Sequence, residues 1–264
     1  MRFNACTLPA HSVTHACAGA RYARSGEEAG RAVNGPEPAG PSRLDSAPGE
    51  RPLSLVVDRY ELGPVGTNCY VVRASQAAGE AVVVDPGGNA AELRLELARL
   101  GSRCVAILIT HGHWDHLGGV AELAEGTGAP VYMAEDERAL LENLPDLVPP
   151  GVPARGYTAD TFLKGDETME LAAIAIETLR VPGHSPGHLA FYADGCLFSG
   201  DVLFAGSVGR TDLPGADPDT LAESLRMLTE RFPRETVVYS GHGPPTTIGA
   251  ELDRNPFLAP LRAS

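Results

Sequence analysis

The segment Thr110-His111-Gly112-His113-Trp114-Asp115-His116 places three imidazoles and one carboxylate within six residues. Neutral imidazole and carboxylate are the ligand types that suit zinc, manganese and non-haem iron. One ion uses only three of these four groups comfortably, because His111 and His113 point one way and Asp115 and His116 another; two adjacent ions use them all. Three more candidate ligands stand in turns further along: His184 in Gly183-His184-Ser185-Pro186-Gly187-His188, Asp201 in Gly200-Asp201, and His242 in Gly241-His242-Gly243. Each follows an apolar run and has glycine directly before it. Glycine lets the backbone bend so that a short side chain can reach an internal site. A lone histidine after a strand is usually structural. Four strand ends in one chain, each presenting a ligand type, point to a metal centre.

Such a centre needs strands whose ends converge. From residue 53 the chain alternates strand and helix patterns. Leu53–Tyr60, Asn68–Arg73 and Ala81–Asp85 read as strands joined by tight turns, and Leu93, Leu97 and Leu100 give Asn89–Leu100 a helical spacing. Val105–Thr110 is a buried strand, Gly119–Gly126 a short helix, Pro130–Met133 a strand and Glu135–Asn143 a helix. A Pro-rich loop follows over residues 144–156. Strand patterns return at Ala173–Arg180, Leu189–Tyr192, Cys196–Ser199 and Val237–Ser240, with a helix over Pro218–Arg231. No fixed-period repeat is present. The order suggests two sheets with helices outside.

Several residues carry two readings. His188 starts a strand and reads as packing or support rather than as a ligand. Asp85 ends a strand before Pro86-Gly87, where it either orients a ligand histidine or caps the turn. Arg210 either binds a substrate carboxylate or pairs with Asp212. Trp114 lines the pocket mouth or simply packs. Tyr157 and Phe162 fall in the long loop region 144–165, a candidate pocket wall.

The bulk numbers narrow the classes. With 264 residues and a net charge of −13, the chain has ample core and no excess of basic charge for nucleic acid or anionic membranes. Lys164 is the only lysine, a composition bias. The five cysteines, Cys6, Cys17, Cys69, Cys104 and Cys196, show no CxxC spacing. A disulfide framework is not expected, and a reducing cytoplasm fits. No run approaches the length of a membrane span, and the first 25 residues lack an apolar signal region. Residues 1–50 are rich in Ala, Gly, Pro, Ser and Arg without apolar periodicity. They read as a disordered N-terminal extension ahead of one domain over 51–264.

On these motifs the chain resembles the metallo-β-lactamase superfamily, over about residues 53–250. The HxHxDH box at His111, His113, Asp115 and His116, followed in order by His184, Asp201 and His242, fills seven ligand positions of that superfamily with the expected residue types. The resemblance implies an α/β fold, a four-layer αββα sandwich with the site at one edge between the sheets. It implies that His111, His113 and His184 hold one ion, that Asp115, His116 and His242 hold a second, and that Asp201 bridges. Asp115 and Asp201 are the candidate catalytic residues. Two divalent ions are expected, zinc first, with iron or manganese admitted.

Within the superfamily the chain is similar to short bacterial glyoxalase II-like proteins (hydroxyacylglutathione hydrolases). Thr67-Asn68-Cys69-Tyr70, Asp85-Pro86-Gly87, Gly209-Arg210-Thr211-Asp212-Leu213-Pro214 and Asn255-Pro256-Phe257 carry that likeness. It implies thioester hydrolysis of S-lactoylglutathione or a related acyl-thiol, a small-molecule substrate, with neither nucleic acid nor membrane as partner and the oligomeric state left open. Full-length enzymes of that group carry a helical C-terminal domain that contacts glutathione. The sequence stops soon after His242, so the thiol carrier stays open. The alternative is a persulfide dioxygenase-like oxidoreductase with one iron, held by His111 and ligands at His184 and Asp201. Lactam hydrolysis ranks lower because Asp201 occupies the bridging place, and nuclease activity because the chain is acidic.

Overall fold

The structure is a computed structural model that describes residues 15–16 and 55–262. The expectation of a disordered extension over residues 1–50 falls almost wholly outside the described residues.

Seven strands form the first sheet: β1 (His15–Ala16), β2 (Val56–Leu62), β3 (Thr67–Arg73), β4 (Glu80–Val84), β5 (Arg103–Leu108), β6 (Val131–Ala134) and β7 (Thr161–Leu163), in that spatial order. Strands β1 to β4 are antiparallel neighbours, and β4 to β7 run parallel. The second sheet uses β8 (Thr168–Leu171), β9 (Ile174–Arg180), β10 (Leu189–Ala193) and β11 (Cys196–Gly200). A small separate hairpin, β12 (Leu203–Phe204) and β13 (Ser207–Val208), follows, before β14 (Val237–Ser240) and β15 (Thr246–Thr247) complete that sheet in the order β15-β14-β11-β10-β9-β8.

Among the described residues six α-helices accompany these strands: α1 (Ala90–Arg99), α2 (Trp114–Leu117), α3 (Val120–Thr127), α4 (Arg138–Glu142), α5 (Pro218–Arg231) and α6 (Ile248–Arg254). Parallel neighbours require a crossover, and the β4–β5 and β5–β6 crossovers carry α1 and α3. Helix α5 follows rules legible in its sequence. Asp217 accepts the Thr220 N–H at 2.7 Å as N-cap, Pro218 opens the first turn, and Leu221, Leu225 and Leu228 line one face.

Every residue of β3 is buried, because both faces of its sheet are covered. Cys69 and Val71 face a core made with Leu93, Leu97, Val120 and Leu123 of the first helices. Tyr70 and Val72 face the other way, into a core shared with Ile174, Ile176, Phe191 and Phe198 of the second sheet. A third core lies outside that second sheet, where Leu179, Leu197 and Val238 meet Leu221, Leu225, Leu228 and Ile248. The layers therefore run helix, sheet, sheet, helix, as the sequence patterns suggest.

Strands β8, β12, β13 and β15 and helix α6 have no counterpart in the sequence reading, and two assignments nearer the site differ from it. Phe162 lies in edge strand β7 rather than in a loop. It packs with Tyr157 against the first core, under the Arg138 guanidinium at 5.4 Å. Residues 114–117 are helical, although a segment this short shows no apolar periodicity of its own.

Candidate metal centre

The ends of β3, β5, β11 and β14 and the turn before β10 meet at one rim of the sandwich. All seven side chains singled out in the sequence lie there together. His111 and His113 stand on the extended link after β5. Asp115 and His116 ride on α2, whose start turns them away from the first pair. His184 comes from the β9–β10 turn, Asp201 follows β11, and His242 follows β14.

The atoms group into sets. Nδ1 of His113 lies 3.0 Å from Nε2 of His111 and 2.9 Å from Nε2 of His184. His116 Nε2 lies 3.6 Å from Asp115 Oδ2 and 3.5 Å from Asp201 Oδ1. His242 Nε2 is 3.1 Å from Asp115 Oδ2. Asp201 Oδ2 stands 3.6 Å from both His184 and His242, so this carboxylate sits between the two triads.

A fixed set of hydrogen bonds orients the rings. The Thr110 hydroxyl donates to Asp85 Oδ2 at 2.7 Å and faces His111 Nδ1 at 3.0 Å. A hydroxyl with its one proton committed accepts from His111, which leaves His111 Nε2 bare. His116 Nδ1 donates to the same Asp85 oxygen at 3.0 Å, and His184 Nδ1 donates to the Arg210 carbonyl at 2.9 Å. These bonds hold the Nδ1 side of each ring and turn its Nε2 inward, the atom a metal would take. Asp85 thus acts as the orienting residue of its two readings, and it also accepts the Thr110 N–H at 2.8 Å. Thr67 donates to Asp115 Oδ2 at 2.8 Å.

The donor set fits divalent ions. His116 Nε2 and Asp201 Oδ1 are buried without a hydrogen-bond partner among the described residues, a costly arrangement unless a cation satisfies both. Ligand atoms around a tetrahedral ion at ordinary bond lengths stand about 3.4 Å apart. The separations here, 2.9 to 3.6 Å, bracket that value. Three sets satisfy the geometry of a candidate site: His111, His113 and His184; His111, His116 and Asp201; and Asp115, His116 and His242.

Electrostatics separate the two triads. Burial, then the neighbouring His184, pushes His113 down to about 4. Burial and the surrounding imidazoles hold His111 well below its usual range. In the other triad, burial again disfavours charge, but Asp201 and Asp85 outweigh it and raise His116 well above its usual value. His242 is raised chiefly by its bond to Asp115. Burial pushes Asp115 up, yet His242, His116 and Thr67 together bring it below the usual carboxylate range. The His242 side chain is 34 % exposed while that of His116 is fully covered, so the centre opens to solvent on the His242 side.

His188 belongs to none of the three sets. Its Nε2 accepts the backbone N–H of Asp201 at 3.1 Å, and its ring stacks on His111 with centroids 4.6 Å apart. Arg210 spends its exposed guanidinium on a bidentate pair with Asp212, both contacts at 2.7 Å. Its backbone carbonyl, not its charge, serves the centre. Trp114 packs against the first core. Sequence reasoning gave no role to Thr67, whose hydroxyl is unremarkable until β3 brings it beside Asp115. It also missed Asn68, whose Nδ2 donates to the carbonyls of Ser240 and Gly243 at 2.8 Å on either side of His242.

Fold and centre together define the class, a metal-dependent hydrolase on an αββα sandwich. Residues 62–242 match the metallo-beta-lactamase superfamily, and the chain belongs to it. The chain is 36% identical over 199 residues to hydroxyacylglutathione hydrolase GloC of Haemophilus influenzae, covering 72% of this chain and 92% of that one. Among solved structures, BLEG-1 B3 metallo-beta-lactamase is similar at 39% identity and a TM-score of 0.72, over 77% of this chain and 99% of that chain. TTHA1623 in a di-iron-bound form is similar at 40% identity and a TM-score of 0.65, over 76% of this chain and 99% of that chain.

Proposed function

We propose that this chain is a binuclear metal-dependent thioester hydrolase acting on S-lactoylglutathione or a related acyl-thiol. The observation that carries the reading is the position of Asp201, within 3.6 Å of His116, His184 and His242 at once. A carboxylate so placed serves two ions, which supply an acidified water as nucleophile and polarise the scissile carbonyl when bound. His111, His113 and His184 would hold the first ion, and Asp115, His116 and His242 the second. Asp115 and Asp201 are the proposed catalytic carboxylates. Asp85, Thr110, Thr67 and the Arg210 carbonyl keep those ligands oriented. A thiolate leaves readily near neutral pH, so the chain needs no strong general acid. The likeness to GloC supports the acyl-thiol class of substrate.

Zinc is the proposed metal. Mixed imidazole and carboxylate ligation also accepts iron or manganese, and the di-iron form of TTHA1623 gives iron weight. The partner is a small molecule, with neither nucleic acid nor membrane involved, in keeping with the net charge of −13. Among the described residues no helix is long and apolar enough to cross a membrane. A cytoplasmic location is part of the proposal. The 39% identity to BLEG-1 makes lactam hydrolysis the second reading.

Metal analysis of the purified protein alongside turnover of S-lactoylglutathione tests the proposal. About two ions per chain and stoichiometric thiol release are expected. Asp201→Ala is expected to lower kcat by roughly a thousandfold while the domain stays folded. One iron per chain with oxygen uptake would instead establish the dioxygenase. Two ions with lactam opening and no thiol release would establish the lactamase.

A further inference from the structure

The 3-10 turn Glu135–Glu137, just before α4, contributes no atom to either triad. It nevertheless sends a carboxylate into the interior, where Glu137 is 1% exposed. A carboxylate at that depth needs partners, and these are two backbone amides. Oε2 accepts the N–H of Gly112 at 2.9 Å, and Oε1 accepts the N–H of Gly187 at 2.7 Å. Gly112 lies between His111 and His113, and Gly187 is in the turn that carries His184. One side chain thus straps together the two loops that present every imidazole of the first triad.

The close approach is built into both glycines. A Cβ on Gly112 would stand 2.6 Å from Glu137 Oε2 and 2.5 Å from Leu140 Cδ1. A Cβ on Gly187 would stand 2.8 Å from Glu137 Cγ and 2.9 Å from Asp136 Cβ. The same turn has a second tie to the His184 loop, since Arg180 pairs with Asp136 and donates to the Pro186 carbonyl at 3.1 Å. The other triad is braced by different residues. Asp85 holds His116, Thr67 holds Asp115, and Asn68 and Tyr70 hold the Ser240 carbonyl beside His242.

We propose that Glu137 is a positioning residue that sets the distance between the His111–His113 loop and the His184 loop, and so controls metal retention by that triad alone. The proposal rests on the two-ion reading above. A carboxylate offers an acceptor oxygen to each amide. A carboxamide offers one oxygen and one NH₂, and its NH₂ would confront an N–H. Glu137→Gln therefore keeps the volume and breaks one strap.

The test uses full-length protein produced with cobalt(II), with elemental analysis and visible spectra compared across wild type, Glu137→Gln, His113→Ala and His242→Ala. Wild type is expected to hold about two cobalt ions. Glu137→Gln is expected to bind one of them roughly tenfold more weakly and to lose it on gel filtration. Its remaining spectrum should match that of His113→Ala and differ from that of His242→Ala. Wild type holding fewer than two ions would overturn the two-ion reading and the proposal with it. Two ions in wild type and two equally tight in Glu137→Gln would overturn the proposal alone. So would proportional loss of both ions, which is what a general loosening of the fold produces. Should Glu137→Gln fail to fold, Gly187→Ala, which forces Glu137 and the turn apart while retaining the carboxyl group, is read by the same criteria.

Discussion

At the scale of single residues, the two triads differ in what they must release to take up a cation. His111 and His113 are already neutral at pH 7, the latter with its proton affinity pushed down to about 4 by burial and by His184. Asp201 and Asp85 raise the proton affinity of His116 against the cost of burial, and His242 is raised by Asp115. An ion taken up by His111 and His113 meets rings of lowered proton affinity, whereas one taken up by His116 and His242 meets rings of raised proton affinity and competes with protons there. Calorimetric metal titrations in buffers of different ionisation enthalpy should therefore show more proton release in one step than in the other. Lowering the pH should weaken the step with more release first. Equal proton release in both steps would contradict this division. Without metal, the same groups act on stability with opposite signs. Between about 6.5 and 4 the unfolded chain holds a proton at His113 that the folded chain refuses, so this residue makes stability fall as pH drops through that window. The His116 contribution is fully present below the unfolded value near 6.5 and is lost as pH rises through the higher folded value.

Elements bring these residues together, and the sequence revealed their elements unevenly. Asp201 and His242 follow apolar runs with glycine directly before them, so their placement at strand ends was legible. The helix over Pro218–Arg231 was legible to the residue, because cap, proline and leucine spacing agree. Glu137 left no such trace. It sits in a charged run, Glu135-Asp136-Glu137-Arg138, whose ordinary meaning is a solvated helix face, and only the crossover after β6 turns its last acid inward. Tyr70 is a similar case, since its alternation in β3 marks a core position but says nothing about its hydroxyl. That hydroxyl donates to the Ser240 carbonyl at 2.6 Å, across the two sheets, and shares the acceptor with Asn68 Nδ2. Because Asn68 still satisfies the carbonyl, Tyr70→Phe removes a bond without orphaning a partner. A loss of about 1 kcal/mol in unfolding free energy is expected. Denaturant unfolding with an unchanged m-value would measure it, and a loss several times larger would show that the His242 turn depends on this contact.

At the scale of the whole molecule, the centre is a property of how two sheets are laid together, since neither sheet supplies a complete ligand set. The first sheet brings His111, His113, Asp115 and His116, and the second brings His184, Asp201 and His242. The core between the sheets, from Leu55 and Val57 through Phe191 and Phe198, therefore fixes the distance between the two groups of ligands. The α/β alternation made this layering legible in the sequence. Which strand ends would face one another was not, because it depends on register and crossover, which hydrophobic pattern leaves open. Of the described residues ahead of Leu55, His15 and Ala16 pair with Val57 and Val56 of β2, at the edge of the first sheet. Strand β2 is already paired along its whole length with β3, from Val56–Arg73 to Leu62–Thr67. Two residues of extra pairing on a strand so held contribute little to its order. Removing residues 1–50 should leave kcat/KM for S-lactoylglutathione and metal content unchanged, and unfolding free energy within about 1 kcal/mol of the full chain. A fall in metal content on truncation would show instead that the N-terminal segment reaches the centre, and would place the edge of the functional domain well before residue 51.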